Sequence, residues 1–152
     1  MDPEARFQAL LTHFRESGHR MTPQRMAVLQ LLASCNDHPT AIQIYERLHG
    51  QYPTMSLATV YKTLSLMKEL GEVLELGFGA DDNRYDGNEP YPHPHLICVR
   101  CQKIVDPDVP EFRALAKAVA ESSGFQITRH RLDFFGICPE CQQAQAEKKP
   151  ES

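Results

Sequence analysis

Two Cys-x-x-Cys pairs in the second half of the chain constrain its fold more than any other feature. Cys98 and Cys101 form the first pair, and Cys138 and Cys141 form the second. Two intervening residues let both thiolates of a pair turn toward one ion, and two such pairs supply the ligands of a tetrahedral structural zinc site. The sequence therefore predicts a zinc-stabilised second half. The alternatives are two disulfides or four reduced core thiols.

The composition indicates one or two small soluble domains. The chain has 152 residues, of which 41% are hydrophobic and 24% are charged, as is usual for such domains. No apolar run follows a basic N-terminus, so we expect no signal peptide. No segment approaches the ~20 apolar residues of a membrane span. We expect a cytoplasmic protein without a membrane partner, in which Cys35 is a small core residue.

Helical patterns fill most of the first half. Thr22 and Ser56 are good N-caps, and Gly18 and Gly71 are typical residues just beyond a helix end. The period then changes to that of short strands, which predicts a hairpin after the last helix. Together these elements predict a winged helix-turn-helix. The predicted helices lie at about 7–17, 23–35, 41–49 and 57–70, and the hairpin at 73–76 and 84–86 with its turn at Gly79–Asn83.

The fourth predicted helix carries a candidate DNA-reading face. Ala58, Tyr61, Lys62 and Ser65 share one side of it, opposite the apolar stripe. Small, hydroxylic, aromatic and cationic side chains fit a DNA major groove, although an ordinary solvated face has the same pattern. The net charge of −4 argues mildly against nucleic-acid binding. Any contact must therefore come from a local cluster, with Arg84 reaching the phosphate backbone from the wing.

A connector rich in proline and glycine, residues 87–92, separates the two halves. We predict a winged-helix domain at 1–86, a hinge at 87–92 and a second domain at 93–152, with a disordered tail after about residue 142. The helix at 110–122 is expected to direct Phe112, Leu115, Ala116 and Val119 inward. Strands are predicted at 95–99, 103–105, 125–128 and 131–137.

His93 and His95 alternate with prolines in an extended segment. Residues i and i+2 of such a segment face the same way, so the two imidazoles lie side by side. Asp86 lies just before this segment, Asp106 follows the next strand, and His38 is a possible fifth donor from the first domain. Taken singly, His38 and Asp106 are ordinary loop and turn residues. As a set, the donors suit Fe²⁺ or Mn²⁺ at least as well as Zn²⁺.

The sequence resembles the ferric uptake regulator (Fur) family over nearly its whole length except the two ends. The matching motifs stand in the same order and with matching spacing. They are Gly18–Arg25 (GHRMTPQR), His38–Ala41 (HPTA), Ser56–Tyr61 (SLATVY), Arg84–Asp86 (RYD), His93–Cys98 (HPHLIC) and His130–Leu132 (HRL).

This resemblance implies an α+β fold, with an N-terminal winged helix-turn-helix domain and a C-terminal α/β dimerisation domain holding a structural four-cysteine zinc site. It implies a transcriptional repressor that binds double-stranded operator DNA as a metal-dependent homodimer. Tyr61 matches a residue that touches bases, and Arg20 matches one that reaches the minor groove. The DNA-binding candidates are Arg20, Ser56, Ala58, Thr59, Tyr61, Lys62 and Arg84. The regulatory metal ligands implied are His38, Asp86, His93, His95 and Asp106.

Aspartate at both carboxylate positions resembles the peroxide-sensing (PerR) branch, since glutamate is usual there in the iron-sensing branch. The resemblance implies that hydrogen peroxide oxidises a histidine ligand, His38 or His93, when Fe²⁺ fills the site, and that DNA is then released. Mn²⁺ is expected to support DNA binding without that oxidation. The alternative is an iron- or manganese-responsive repressor of metal uptake genes.

Two other classes of protein remain as alternatives. An oxidase or hydrolase would use the histidine and aspartate residues as an open metal centre. The sequence shows no nucleophile or general base beyond the ligands, so we predict that the protein is not an enzyme. A zinc-stabilised interaction module without a DNA role is the other alternative, and metal-dependent, salt-sensitive DNA binding would exclude it.

Overall fold

The computed structural model describes residues 1–77 and 82–148, and the chain divides into two compact units, Met1–Tyr91 and Pro92–Ser152. The division falls within the segment that the sequence indicates as a connector. The first unit contains α1 (Pro3–Glu16), α2 (Pro23–Ser34), α3 (Ala41–His49), α4 (Leu57–Glu69), β1 (Leu74–Leu76) and β2 (Arg84–Asp86). The second contains β3 (His95–Cys98), β4 (Ile104–Val105), α5 (Glu111–Ser123), β5 (Asp133–Gly136) and α6 (Pro139–Glu147).

Side-chain caps begin the helices of the first unit. Each capping oxygen accepts a hydrogen bond from the backbone N–H three residues further on, an interaction that stabilises a helix by ~1 kcal/mol. Gly71 follows α4 with φ of 70°, a left-handed conformation that glycine adopts without a steric penalty. The predicted caps at Thr22 and Ser56 are confirmed. The full set is Asp2, Thr22, Thr40 and Ser56.

The apolar stripes of α1 to α4 form the core of the first unit. Phe14, Leu29, Val60 and Met67 are completely buried, and Tyr85 of β2 joins the same cluster. Burial of one such aliphatic side chain contributes ~1.5–3 kcal/mol. Because α4 directs this stripe inward, its opposite face remains accessible.

The hairpin pairs β1 with β2 in antiparallel register, so that Leu74 lies opposite Asp86. The predicted turn at Gly79–Asn83 falls largely on residues 78–81, which lie outside the described part of the chain. Strand β2 also pairs with the loop before α3. A single bridge joins Thr40 to Arg84, and the Tyr85 N–H donates to the Pro39 carbonyl at 3.0 Å. The strand that ends in Asp86 is thus joined to the loop that contains His38.

The buried guanidinium of Arg6 holds the chain in place just after β2. Arg6 is only 5% exposed; its Nε donates to the Gly87 carbonyl at 2.8 Å and its Nη1 lies 2.7 Å from Glu72 Oε2. A Cβ on Gly87 would lie 2.8 Å from Leu32 Cβ. Gly87, predicted as the first residue of the hinge, is therefore packed into the first unit.

The second unit is built on a three-stranded sheet with strand order β4-β3-β5. Strand β3 is antiparallel to β4 and parallel to β5, and His95 lies opposite Asp133 in the parallel register. A parallel pair needs a long crossover connection, and α5 lies within it. This register brings a histidine and an aspartate that are distant in sequence to neighbouring positions.

Two secondary-structure predictions for the second unit are wrong. Residues 125–128 are not a strand, since they pair with none of β3, β4 and β5, and Phe125 is 72% exposed. The tail expected to be disordered after residue 142 is helical as far as Glu147. Pro139 at the first helical position and the alanine and glutamine residues that follow favour this helix; residues 149–152 lie outside the described range.

The prediction for α5 is correct in its extent and wrong in its packing. Gly124 ends the helix with φ of 71°. Phe112 is buried, but Leu115 and Val119 are 52% and 45% exposed. The second unit alone lacks the apolar surface that would cover this side of the helix. None of the helices in the described parts of the chain is long and apolar enough to cross a membrane.

Candidate metal centres and DNA-binding face

The four predicted zinc ligands come together within the second unit. The sulfur atoms of Cys98, Cys101, Cys138 and Cys141 all lie within 4.8 Å of one another. The Cys101 and Cys138 sulfurs are 3.7 Å apart, far beyond the ~2.05 Å of a disulfide. Tetrahedral zinc with bonds of ~2.3 Å places its sulfurs ~3.8 Å apart. The cluster therefore fits a structural zinc site, and all four cysteines are free thiols.

Backbone geometry at two turns brings these sulfurs together. Cys98 ends β3, and Gln102, with φ of 62°, reverses the chain so that its N–H donates to the Cys98 carbonyl at 2.9 Å. Cys138 is the N-cap of α6, and its N–H donates to the Cys98 sulfur at 3.4 Å. Because β3 and β5 are neighbours, the first knuckle and the beginning of α6 lie at the same end of the sheet.

Without a bound cation, the thiols of this cluster differ in ionisation, because the pKa of Cys98 is lowered and that of Cys138 is raised. Backbone N–H groups of Cys138, Cys101 and Arg100 lower the pKa of the Cys98 thiol to about 6. The backbone of Cys141 lowers the pKa of the Cys138 thiol, but burial and neighbouring side chains outweigh it and raise that pKa to about 12. Several adjacent thiolates need a compensating positive charge, and Zn²⁺ deprotonates such thiols outright.

A histidine–aspartate pair lies at the loop between α2 and α3. His38 Nε2 is 3.0 Å from Asp86 Oδ2, and both side chains are almost fully buried. His38 Nδ1 lies 3.1 Å from the Asn36 carbonyl. A carbonyl only accepts, so Nδ1 carries the hydrogen and Nε2 is the nitrogen available to a metal. Asp86 Oδ1 accepts from the Asn88 and Glu89 N–H groups at 3.0 Å and 2.9 Å.

The remaining three predicted ligands form a second cluster, in the second unit. The rings of His93 and His95 have centroids 4.4 Å apart. Their Nε2 atoms lie 3.4 Å and 3.7 Å from Asp106 Oδ1. Ligand atoms of one ion with bonds of 2.0–2.2 Å are separated by about 3 Å or slightly more. The donor chemistry and these spacings fit a divalent cation.

The structure adds Asp133, which sequence reasoning missed, behind His95. Its Oδ1 lies 3.4 Å from His95 Nδ1, and its Oδ2 accepts from Arg131 Nε at 2.5 Å. A carboxylate next to the outer nitrogen of a histidine favours the tautomer that presents Nε2 to a metal. No local signal in the sequence identifies Asp133. Its position beside His95 follows from the parallel register of β5 with β3, which only the structure reveals.

The predicted DNA-reading face of α4 is accessible. Ala58, Lys62 and Ser65 are exposed, and Tyr61 is partly buried against the core. Ser56 is occupied as the cap of α4, with its hydroxyl 2.9 Å from that of Thr59. A polar cavity of about 330 Å³ lies beside this face, lined by Arg20, Thr22, Gln24, Arg25, Thr59 and Lys62.

Arg84 does not reach outward from the wing as predicted. Its guanidinium donates from Nη2 to the Asp37 carbonyl at 2.7 Å and from Nε to the His38 carbonyl. Burial lowers the pKa of this guanidinium relative to its usual value. The carbonyl groups of the loop between α2 and α3 therefore compete with a DNA phosphate for these donors, and the phosphate contact stays a prediction.

Comparisons with known proteins agree on one family. The sequence pattern described as "Ferric uptake regulator family" matches residues 16–135. The chain is 38% identical over 139 residues to the "Peroxide-responsive repressor PerR" of Staphylococcus aureus (strain USA300), covering 91% of this chain and 93% of that protein.

Two solved structures are also similar. PerR from Streptococcus pyogenes, described in relation to peroxide sensing and gene regulation, has a TM-score of 0.51 and 35% identity, over 90% of this chain and 92% of that one. The ferric uptake regulator from Francisella tularensis with iron has a TM-score of 0.69 and 28% identity, over 82% of this chain and 96% of that one.

Proposed function

The chain belongs to the ferric uptake regulator family of metal-responsive repressors, and we propose that it is a repressor that responds to peroxide through its regulatory metal ion. The observation that carries this proposal is the pair of aspartates, Asp86 and Asp106, each beside a histidine in its own unit. The identity with a peroxide-responsive repressor supports the same assignment.

The regulatory ion is proposed to take ligands from both units. His38 and Asp86 supply one nitrogen and one oxygen, whereas His93, His95 and Asp106 supply two nitrogens and one oxygen. Neither set alone completes the coordination of Fe²⁺ or Mn²⁺, which prefer six ligands. An ion bound by both sets therefore favours the arrangement in which all five donors converge. Zn²⁺ is assigned to the four cysteines and the regulatory ion is Fe²⁺ or Mn²⁺.

DNA binding is proposed to follow from this preference. An ion shifts a conformational equilibrium only by its differential affinity for the two states. The metal-bound arrangement is assigned as the one in which the α4 helices of a dimer meet successive major grooves. Tyr61, Ala58 and Thr59 then read bases, Lys62 contacts phosphate, and Arg20 enters the minor groove. The site of action would be operator DNA in the cytoplasm.

The dimer is proposed to form through the second unit. Its exposed apolar side chains include Leu115, Val119, Phe134 and Phe135, from 45% to 62% accessible. Soluble chains rarely leave so many large apolar groups uncovered. A second copy of the same unit covers them at a two-fold interface, and so sets the spacing between the two DNA-reading helices.

Bound Fe²⁺ would donate the electron that begins cleavage of the peroxide O–O bond, whereas Mn²⁺ would not. An imidazole of the site would be the net two-electron reductant: one peroxide oxygen atom would be added to the ring and the other would leave as water. The side chains of the site then decide which residue is oxidised. His38 and His93 are the proposed targets, and each would gain one oxygen atom. Loss of either imidazole as a ligand would lower the affinity of the ion for the arrangement that joins the two sets of donors, so operator DNA would be released.

The decisive experiment measures operator binding with Fe²⁺ and with Mn²⁺, each before and after micromolar peroxide. We expect both ions to support binding and peroxide to abolish it only with Fe²⁺. Mass spectrometry of the peptides containing His38 and His93 should show a gain of one oxygen. Asp106→Glu is the matched variant, expected to keep metal-dependent binding and lose the peroxide response. If Asp106→Glu loaded with Fe²⁺ still releases DNA on addition of peroxide, Asp106 is not what makes the site responsive to peroxide.

An iron- or manganese-responsive repressor of metal uptake genes is the second candidate. The similarity to an iron-bound ferric uptake regulator favours it. Peroxide would then leave DNA binding and both histidine peptides unchanged, while the choice of metal would change the affinity for DNA.

A further inference from the structure

His38 stands in a backbone conformation that its surroundings must hold in place. Its φ is 53°, in the left-handed region where only a few per cent of non-glycine residues lie. Such conformations persist where neighbouring groups determine them and cluster at functional sites. The carbonyl groups on either side of this bend are those of Asp37 and His38.

The guanidinium of Arg84 donates hydrogen bonds to both of these carbonyl groups. Nη2 donates to the Asp37 oxygen at 2.7 Å, and Nε donates to the His38 oxygen. The planar fork of arginine presents its donors in a fixed geometry. Arg84 also pairs through its backbone with Thr40, so side chain and main chain together secure the two ends of the His38 loop.

The same strand places Asp86 two residues further on. Asn88 Nδ2 donates to Asn36 Oδ1 at 2.9 Å, while the Asn36 carbonyl accepts from His38 Nδ1. The loop and the end of β2 are therefore connected on both sides of the pair. This connection keeps His38 Nε2 and Asp86 Oδ2 3.0 Å apart.

We propose that Arg84 is a positioning residue for the regulatory metal, which prepares the His38–Asp86 pair for binding, and that it is not a DNA-contacting residue. The proposal rests on the proposed function, because it assigns these two side chains to that metal. Lysine at position 84 keeps the positive charge but has a single ammonium group, which cannot donate along both directions of the fork. The Arg84→Lys substitution therefore separates the effect of the positive charge from that of the guanidinium geometry.

The test compares Arg84→Lys and Lys62→Gln with the parent protein in the zinc-loaded full chain. Competition with a fluorescent chelator measures the Mn²⁺ affinity, and a salt titration at saturating Mn²⁺ measures operator binding. We expect Arg84→Lys to weaken Mn²⁺ binding about 10- to 100-fold with operator affinity at saturation and its salt slope unchanged. Lys62→Gln should leave the Mn²⁺ affinity unchanged, weaken operator binding and lower the salt slope by about 1.

Unchanged Mn²⁺ affinity in Arg84→Lys, with weakened DNA binding and a reduced salt slope, would overturn the proposal in favour of a phosphate contact. Equal thermal midpoints for the metal-free parent and variant exclude general destabilisation as the cause.

Amide hydrogen exchange of the metal-free protein tests whether Arg84 holds the His38 loop in place when the regulatory ion is absent. The Tyr85 N–H, which donates to the Pro39 carbonyl, should exchange at least tenfold faster in Arg84→Lys. Unchanged exchange would overturn the proposal even where the parent responds to metal and peroxide. Faster exchange in Arg84→Lys, together with a parent protein whose DNA binding ignores both metal and peroxide, would instead refute the proposed function and leave the role of Arg84 in holding the loop supported.

Discussion

Asp133 Oδ1 lies 3.4 Å from Nδ1 of His95, the residue opposite it in the parallel pairing of β5 with β3. His95 Nε2 faces Asp106 on the other side of the ring. The imidazole therefore stands between two carboxylates with different tasks. One contacts the outer nitrogen, and the other shares the proposed metal site.

We expect Asp133→Asn to lower the affinity for the regulatory ion by about 10- to 100-fold, because a carboxylate behind a ligating histidine orients the ring and raises its basicity. A Mn²⁺ titration monitored by chelator competition measures the change. The exposed Asp108 provides the control, since Asp108→Asn makes the same chemical change away from His95. Equal affinities for the two variants would show that Asp133 has no such role.

Removal of the zinc site should unfold the second unit. The two knuckles join the end of β3 to the beginning of α6, and structural zinc contributes ~10–16 kcal/mol of binding free energy to small domains. We expect Cys138→Ser to lose zinc and part of the helical circular dichroism signal.

Cys35→Ser serves as the control for that experiment. Burial, with further contributions from Asp37, raises the pKa of the Cys35 thiol to about 11, and this residue lies in the first unit. Its replacement should leave the zinc content, measured by atomic absorption, unchanged. Zinc retained at full occupancy by Cys138→Ser would contradict the assignment of the four-cysteine site.

Gly87→Ala should destabilise the first unit, because the added Cβ would lie 2.8 Å from Leu32 Cβ and 3.4 Å from Met67 Cε. Overpacking of this kind costs ~1–3 kcal/mol. The free energy of unfolding in urea measures it. Gly50→Ala is the matched control, since no atom lies within 4 Å of the position that its added Cβ would take, and it should be neutral or slightly stabilising. Equal stabilities would argue against tight packing at residue 87.

The Arg6–Glu72 ion pair should make stability depend on acid pH. Burial alone would raise the pKa of Glu72, but hydrogen bonds from His13 and Arg6 outweigh it and hold that pKa below its usual value of 4.5. Since the folded-state pKa is the lower one, the stabilisation is complete above the unfolded-state pKa. It is lost as the pH falls through the folded-state value.

We therefore expect Glu72→Gln to lower the free energy of unfolding by about 3–5 kcal/mol near neutral pH, because it leaves Arg6 buried without its charged partner. Below about pH 4.5 the difference from the parent should shrink. Urea unfolding at a series of pH values provides the measurement. Glu69→Gln, at an exposed position on α4, is the control, and an identical pH dependence in both variants would refute the assignment.

A charge placed on the exposed apolar side of α5 should prevent dimer formation. Val119 is 45% exposed, and burying an aspartate there against a second copy would cost several kcal/mol. We expect Val119→Asp to scatter light as a monomer and to bind operator DNA weakly. Lys117→Asp introduces the same residue at a position whose side chain is 76% exposed, and it should stay dimeric. A dimeric Val119→Asp protein would exclude this surface as the interface.

Local signals in the sequence were sufficient for the helices of the first half and for the cysteine knuckles. The caps at Thr22 and Ser56 and the apolar stripe through Val60 act over three or four residues, so the periodicity alone contains them. The spacing within each Cys-x-x-Cys pair is likewise a local property. The structure reproduces these features.

The sequence by itself determined which chemical groups this protein has and, through short-range rules, most of its helices. Tertiary structure alone decided where several of them are used. Arg84 turns to the His38 loop instead of outward, Asp133 comes beside His95, and Gly87 packs against Leu32. Each of these results depends on strand pairing or packing between residues far apart in the chain, and a local pattern has no information about such partners.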